Sequence, residues 1–525
     1  MPDGWLAMWL GHDEHPGSLS FWFLVLTFAV VASVLLKRIN SKVDFAVEAL
    51  LRALELLWFY LPLVPLLAFS LVADRCSPAC NVADASRRQA PSWVDCWWAV
   101  ALRRVQRSGP VFVKLGQWAA TRPDLIPEDV CSQLGHLHDS TEPHSLQHTH
   151  KVLRESFSDT WFRNLLIEPE PIGSGCIAQV YRGRLTGGAT SSKASPLRLL
   201  GSRLHRFCGG ACSSTPGRSR SVEVAVKVVH PQVQRAVDVD LQVLDQLASL
   251  SKHVGAERLG IPLMLRQFSA FLKAQTNLET EAQNLRRMKQ MLASGDGSVV
   301  IPEVFDRWVA PNVLVMSFEE GEPLTALLDS DGPDRPRLEA WRILVDSFWA
   351  MVFKYRFVHG DLHPGNILWR PPSDASGKVQ LVLLDCGLVI DLSGQAGEDL
   401  SAMLKAFLTK SEEDVARLLI SLSERVGGKP EDVVQPEVFV NGIASLIRSG
   451  KGVGFRLSKL NAGSLMGQSL LLGRKHGVRF DARFVNLMVA MIVVQGVSLR
   501  LNGDGDIMSR MRPFLFGAAV SHLTS

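Results

Sequence analysis

The stretch "FVHGDLHPGNILW", Phe357 to Trp369, sets an Asp, two His and an Asn around a Pro-Gly turn between apolar flanks. Asp361 and Asn366 stand five residues apart. Alone this is a polar loop, and its meaning depends on what surrounds it. Downstream, "LVLLDCGLVIDL" (381–392) is a Leu- and Val-rich run that reads as a buried strand closing on Asp385-Cys386-Gly387. Upstream, "VEVAVKVVH" (222–230) alternates as a strand and carries Lys227. Before it, "PIGSGCIAQVYRG" (171–183) sets Gly173-x-Gly175-x-x-Ala178 ahead of another strand.

Four such elements in this order match the parts with which kinases hold Mg-ATP. The spacing H-x-D-x-x-x-x-N is that of a catalytic loop, in which Asp361 orients the acceptor or an attacking water and Asn366 ligates magnesium. Asp-Cys-Gly stands where D-F-G supplies the second metal ligand, Asp385. Lys227, in the frame V-A-V-K, matches the strand lysine that grips the α/β-phosphates, and the Gly173-Ser174-Gly175 turn with Ala178 is suited to bring backbone N–H groups over phosphate. "NVLVMSFEEGEP" (312–323) reads as the last small-lobe strand and the hinge, with Met316 behind the adenine and backbone groups of Ser317 and Phe318 facing the base. Val180 and Ala225, on the strands around the turn and the lysine, complete the expected nucleotide set. No A-P-E follows Asp385, and Gly360 replaces the Arg of H-R-D. A peptide-docking activation segment and its phosphate reader are therefore missing.

The chain resembles the aarF-domain or UbiB family of atypical kinase-like proteins, which is associated with coenzyme Q biosynthesis. The resemblance rests on "VKLGQWAATRPDLIP" (113–127), holding the K-x-G-Q signature as Lys114-Leu-Gly116-Gln117, and on "ETEAQNL" (279–285), "HGDLHPGNIL" (359–368) and "LLDCGLVIDL" (383–392). Among relatives it looks most like the second animal aarF-domain-containing subtype. The resemblance implies ATP and Mg2+ as cofactors and a membrane lipid or quinone-pathway precursor as substrate or partner. It further implies coenzyme Q biosynthetic proteins as possible companions and a mitochondrial membrane as the location. It makes Glu281 the helix partner of Lys227, and it has the K-x-G-Q helix, with Lys114 and Gln117, pack across the cleft where ordinary kinases hold their peptide. The family usually carries an E-x-D motif shortly before the helix glutamate; the matching positions here are Gln275, Thr276 and Asn277. Lys114 is therefore expected to lack a counter-charge, its helix being held by Gln117 and by packing of Phe112 and Trp118.

The fold class expected is α+β: an atypical protein-kinase-like two-lobed fold with a helical N-terminal extension and an N-terminal hydrophobic membrane segment. Its parts are a polar N-terminus (1–20), a candidate membrane anchor (21–36), a helical extension (45–150), a small lobe (151–320) and a helical large lobe (321–525). Residues 186–221, with six Lys/Arg and no acid, read as a disordered basic insertion in the small lobe. Ser108-Gly109-Pro110 reads as a cap with Pro in the first turn of the K-x-G-Q helix.

The 525 residues carry 56 basic against 52 acidic side chains, a balance without the basic excess that nucleic-acid binding needs. Mean hydropathy is +0.12, and its excess sits early in the chain. "FWFLVLTFAVVASVLL" (21–36) is about 24 Å long as a helix, against roughly 30 Å of hydrocarbon, and Lys37, Arg38 and Lys42 follow it. Residues 1–36 hold no Arg but include Asp3, Asp13 and Glu14, unlike a transit peptide. "LLWFYLPLVPLLAFSLVA" (56–73) carries Pro62 and Pro65 and reads as a helix pair lying on a membrane or on the lobes. "RFVNLMVAMIVVQGV" (483–497) reads as core, too short to span a bilayer. The pairs Cys76/Cys80 and Cys208/Cys212 lack further zinc ligands and read as reduced thiols, and the five histidines from His136 to His150 read as a linker before a helix.

Overall fold

Pro62 decides how the apolar run after residue 45 folds. Helix α1 (Ser41–Tyr60) stops just before it and α2 (Leu63–Cys76) starts just after it, because a proline ring forbids the bond that would carry one helix into the next. Pro65 falls in the first turn of α2, where its missing N–H would have had no partner. The expected helix pair is present. The break is slight: Leu61 N–H donates to Leu57 O at 2.8 Å and Leu66 N–H to Pro62 O at 3.4 Å. Residues 45–73 are, by length and composition, apolar enough to cross a membrane. Trp58, Leu61, Val64 and Phe69 are exposed on this pair.

The computed structural model describes residues 41–76, 92–120, 128–135, 137, 143–186, 221–231, 233–253, 265, 268–269, 272–273, 275–292, 297–329, 334–372, 378–452, 462–502, 505, 507, 510–511 and 513–514. The lead 1–20, the run 21–36, most of the insertion 186–221, and Cys80, Cys208, Cys212, His136 and His138 lie outside them. The chain divides into two compact units. One gathers α1, α2, the start of α3 (Trp93–Arg107) and residues 235–250, a stretch expected in the small lobe. Inside it, Arg52 donates to the buried Asp240 at 2.7 Å and Arg235 pairs with Glu48 at 2.6 Å.

The other unit carries the candidate chemistry. The helices α4 (Pro110–Ala120), α5 (Glu128–Leu134) and α6 (Leu146–Phe157) precede a five-stranded sheet. Its strands are β1 (Leu165–Ser174), β2 (Ala178–Leu185), β3 (Val222–Val229), β5 (Val304–Ala310) and β6 (Val313–Ser317), in the order β1-β2-β3-β6-β5 with antiparallel pairing throughout. β-Branched residues fill the core face of β3: Val224, Val226 and Val228, two apart along the strand, pack with Leu153 of α6, Tyr181 and Trp308 in one core. α7 (Val233–His253) and α8 (Leu278–Leu292) follow β3; α8 buries Leu278, Ala282, Leu285 and Met288 on one stripe, and that stripe includes Glu281.

Beyond the sheet, β4 (Val299–Val300) and β7 (Glu322–Pro323) flank a hairpin of β9 (Ile367–Arg370) and β10 (Gln380–Leu383), while β8 (Phe357–His359) pairs with β11 (Val389–Asp391). The rest is helical: α9 (Leu324–Asp329), α10 (Asp334–Trp349), α11 (Gln395–Thr409), α12 (Glu412–Arg425), α13 (Pro436–Gly452), α14 (Ala462–His476) and α15 (Ala482–Leu501). At 20 residues α15 is longer than the run read from sequence and passes the length and hydropathy test for a span. Yet Ala490 and Val494 are fully buried in it, so the reading as core stands.

Ser108 lies between α3 and α4. Its hydroxyl donates back to Arg104 O at 2.8 Å, closing α3; Gly109, at φ 101°, turns the chain, and Pro110 opens α4.

The insertion joins strand ends that already touch, since Leu185 of β2 pairs directly with Val222 of β3. A two-residue Asn-Gly turn in place of residues 187–220 therefore satisfies the hairpin geometry. The shortened protein is expected to keep its thermal midpoint within about 3 °C and its nucleotide affinity. Insoluble expression or loss of nucleotide binding would show that the insertion belongs to the folded unit.

Candidate active site

Three charged side chains meet between β3, α8 and the end of β10. Lys227 Nζ donates to both carboxylate oxygens of Glu281, at 2.8 and 2.9 Å, and to Asp385 Oδ2 at 2.9 Å. Glu281 is almost wholly buried, at 3% side-chain exposure, whereas Asp385 keeps 41%. One ammonium thus serves two carboxylates, leaving one negative charge in excess. Burial works against charge on Lys227, but Asp385 and Glu281 outweigh it and hold the lysine above its ordinary value. Burial also opposes charge on Asp385, yet Lys227 and the Gly387 N–H outweigh it and hold that carboxyl below the usual range. Glu281 takes the remainder: burial, then the charge of Asp385, lifts it to about 7 against the pull of Lys227.

The loop Phe357–Trp369 is brought to this triad by pairing on both sides. Val389 faces His359 in the β8–β11 ladder, Leu383 faces Ile367 in the β9–β10 hairpin, and Leu384 N–H donates to Asn366 O at 3.0 Å. Within the loop, Asn366 Nδ2 donates to Asp361 O at 3.1 Å and to Asp361 Oδ2 at 3.2 Å. His359, fully buried, accepts the Asp361 N–H on Nδ1 at 3.1 Å. His363 caps the following turn by accepting the Gly365 N–H at 3.0 Å. A Cβ on Gly360 would lie 2.7 Å from Leu388 Cγ. The Arg of H-R-D is therefore not merely absent; its position is filled by Leu388.

The residues fit a magnesium ion held jointly with phosphate. Asn366 commits its amide nitrogen to Asp361, which leaves the amide oxygen for a hard cation, and Asp385 offers an exposed carboxylate. Among the described residues no cluster of three or more His, Cys, Asp or Glu forms a metal cage. Magnesium needs none when phosphates supply the other ligands.

The nucleotide residues divide. Val180 pairs with Lys227 across β2–β3, Ala225 with Met316 across β3–β6, and the Gly173–Ala178 turn is a hairpin end closed by Gly175 N–H donating to Ala178 O at 3.0 Å. The hinge departs from expectation. Ser317 N–H donates to Glu303 O at 2.8 Å and Phe318 N–H to Glu223 O at 3.1 Å, so neither donor is left for a base. Arg182 lies over the Phe318 ring at 4.6 Å.

In the K-x-G-Q helix, Gln117 Nε2 donates to Leu137 O at 3.2 Å, and a Cβ on Gly116 would fall 2.3 Å from Leu137 Cδ1. The signature glycine lets α4 close on Leu137, while Trp118 packs on Phe268 at 5.7 Å. Lys114 is half-buried and is not without a partner. At the lost E-x-D position, Asn277 instead caps α8, accepting the Glu279 N–H at 2.9 Å.

Two residues that the sequence did not single out tie α8 to the metal side. Asn284 Nδ2 donates to Cys386 O at 2.9 Å, and Arg287 donates to Asp391 at 2.8 Å while lying 4.0 Å from the Phe357 ring. Asn284 is three residues beyond Glu281 and therefore on its face, a signal that could have found it.

A family description of the ABC1 atypical kinase-like domain matches residues 217–419. The chain carries an ABC1 atypical kinase-like domain. Lys227, Glu281, Asp361, Asn366 and Asp385 all lie inside it, whereas the Gly173–Ala178 turn and Lys114 precede it. Around this ABC1 domain, similarity extends to an ABC1 family mitochondrial protein of Schizosaccharomyces pombe, 27% identical over an alignment of 470 residues that covers 81% of this chain and 66% of that protein. The chain thus matches just under two thirds of that relative's length. A probable protein kinase UbiB of Azotobacter vinelandii is 28% identical over 429 residues, 79% of this chain and 70% of its own. Both names accord with the aarF/UbiB resemblance. Of solved structures, a Mycobacterium tuberculosis protein in complex with erythromycin is similar at TM-score 0.47 and 18% identity, over 75% of this chain and 86% of that one.

A cavity of about 230 Å3 lies away from the charged triad, among the helices, lined by Phe348, Trp349, Leu446, Met466, Met488 and Met491. It offers no group for acid–base or metal chemistry and is an apolar space only.

Proposed function

We propose that this ABC1 domain makes the chain a membrane-associated atypical kinase or ATPase that binds Mg-ATP and transfers or hydrolyses the γ-phosphate. The observation that carries the reading is the Lys227 ammonium, fixed by Glu281 and touching Asp385. Phosphoryl transfer asks a protein for positioning and charge neutralisation more than for covalent chemistry. Lys227, oriented by the buried Glu281, presents its charge to the α/β-phosphates. Asp385 and Asn366 would hold magnesium, which neutralises charge between phosphates when bound. Asp361, steadied by the Asn366 amide and the His359 ring, accepts a proton from the acceptor hydroxyl or water. The Gly173–Ala178 turn covers the phosphates, and α4 stands where a peptide substrate would otherwise dock.

Membrane association is supported by the exposed apolar side chains of α1 and α2. An apolar acceptor, a lipid or quinone-pathway precursor, is supported by the UbiB name of one relative. The mitochondrial location follows the S. pombe relative. A nucleotide-gated scaffold for membrane biosynthetic enzymes is the second reading; a protein Ser/Thr kinase is the third, disfavoured by the missing A-P-E segment although the bacterial relative is named a probable protein kinase. Magnesium-dependent ATP turnover by purified protein, with and without liposomes, separates them. Asp361→Asn is expected to lower turnover at least about a hundredfold, the weight of a positioned general base, while leaving nucleotide affinity within about twofold. Wild-type turnover no faster than the Asp361→Asn background would leave the scaffold reading.

A further inference from the structure

Behind the glycine-rich turn runs a buried chain of hydrogen bonds that no part of the proposed chemistry uses. The His144 N–H donates to Gln179 Oε1 at 2.8 Å, and Gln179 Nε2 contacts both His144 O and the Tyr181 hydroxyl. Tyr181 Oη lies 2.8 Å from Thr149 Oγ1, and Thr149 Oγ1 lies 2.8 Å from His144 Nε2. His144 Nδ1 then meets His230 Nδ1 at 2.7 Å, and His230 Nε2 meets Gly175 O at 2.8 Å. The His230 N–H also donates to Ile177 O at 2.9 Å. Gln179, Thr149 and Tyr181 are fully buried, and His230 is nearly so.

Both ends of this run are fixed, and they fix everything between. A backbone N–H can only donate, so Gln179 must present its oxygen to His144 N–H and its NH2 to Tyr181. Tyr181 then donates to Thr149, Thr149 donates to His144 Nε2, and His144 must carry its proton on Nδ1 and donate to His230 Nδ1. His230 is left with its proton on Nε2, facing the Gly175 carbonyl, which can only accept. Both rings are neutral, in opposite tautomers. A further proton on either ring opposes two N–H groups or reverses the run, which turns the Tyr181 O–H against the Gln179 NH2.

We propose that His230, keyed by His144, is a positioning residue of the glycine-rich turn. The inference rests on the reading that this turn covers phosphate. Because the peptide is planar and trans, holding Gly175 O on His230 turns the Cys176 N–H to the opposite side. The bond therefore decides which of the two groups, donor or acceptor, that peptide presents to an anion. Burial, with the charges of His230 and His148, holds His144 down to about 4, and burial lowers His230 as well. The titratable groups facing the pair are His148 of α6, whose ring lies 4.7 Å from that of His144, and Tyr181 of β2. Among the described residues no carboxylate acts on either ring. The folded rings resist a proton that the unfolded chain accepts, so this contribution is complete above the unfolded value of 6.5 and is lost as pH falls toward about 4.

The test compares full-length wild type, His230→Phe and His230→Gln, whose amide can still donate to Gly175 O. Two quantities are read: the dissociation constant of a fluorescent ATP analogue with magnesium, and deuterium exchange of the peptide 171–180. At about pH 7.5, His230→Phe should bind about tenfold more weakly, the weight of one lost hydrogen bond, with faster exchange confined to that peptide. His230→Gln should restore most of the affinity and flatten the weakening that wild type shows as pH falls toward about 4. Unchanged exchange in His230→Phe, wild-type affinity in that variant, or identical pH profiles for wild type and His230→Gln would overturn the proposal. If wild type fails to bind the analogue, the nucleotide reading itself fails, and the exchange data alone then decide whether His230 holds the turn.

Discussion

Lys227→Met is expected to lower the unfolding free energy of the nucleotide-free protein by about 2–3 kcal/mol near pH 7.5, because it strands Glu281 and Asp385 together without a cation. Breaking a fully buried pair commonly removes more than this. Two features moderate the loss here: Asp385 keeps 41% of its side-chain surface and is screened by water, and Glu281 can accept a proton. Asp385→Asn makes the contrast. It removes the excess negative charge, leaves the Lys227–Glu281 pair intact, and should leave the nucleotide-free protein as stable as wild type. Both variants should lose magnesium-nucleotide binding, one through the phosphate clamp and the other through the metal ligand. Urea denaturation read beside nucleotide titration distinguishes them. If Lys227→Met were as stable as wild type and Asp385→Asn were not, the triad would be held by something other than the lysine.

Much of this site was legible in the chain because its chemistry depends on local spacing. Asp361 and Asn366 lie on one turn, and the β-branched strand around Lys227 could hardly be anything but a buried strand. The helix partner came through the family resemblance, and the structure sets Glu281 within the stripe of Leu278, Ala282 and Leu285. What the sequence could not disclose were contacts made across large separations by ordinary residues. Gln179, Thr149, His144 and His230 come together only when α6 packs on the sheet, and no periodicity marks such a set. Competition for backbone donors is equally silent. Nothing in "MSFEE" tells that the Ser317 and Phe318 N–H groups are taken by Glu303 and Glu223. For Lys114, a missing acid at one sequence position does not leave the side chain without a partner in space. Ser108 is a local case, a cap residue between two helices whose hydroxyl serves the one behind it.

Glu281 gives the triad a pH dependence whose sign runs against that of the histidine pair. Its carboxyl titrates at about 7 in the folded protein against an ordinary value of 4.5, so between those values the native state holds a proton that the unfolded chain has released. Stability from this group is fully present below about pH 4.5 and is lost as pH rises through about 7. The displacement corresponds to about 3 kcal/mol as an upper figure, and discounting for solvent is unnecessary at 3% exposure. Asp385, held low, contributes in the opposite sense and only in strong acid, outside this window. The histidines weaken the fold as pH falls from 6.5, so the wild-type curve alone mixes the two effects. The difference between wild type and Glu281→Gln isolates the carboxyl. The glutamine amide in that variant keeps an oxygen for Lys227 but cannot ionise, so the variant is expected to gain on wild type by about 2–3 kcal/mol between about pH 5 and about pH 8. A difference that stays constant across that range would mean that Glu281 is already ionised in the folded protein, and that Lys227 serves both carboxylates equally.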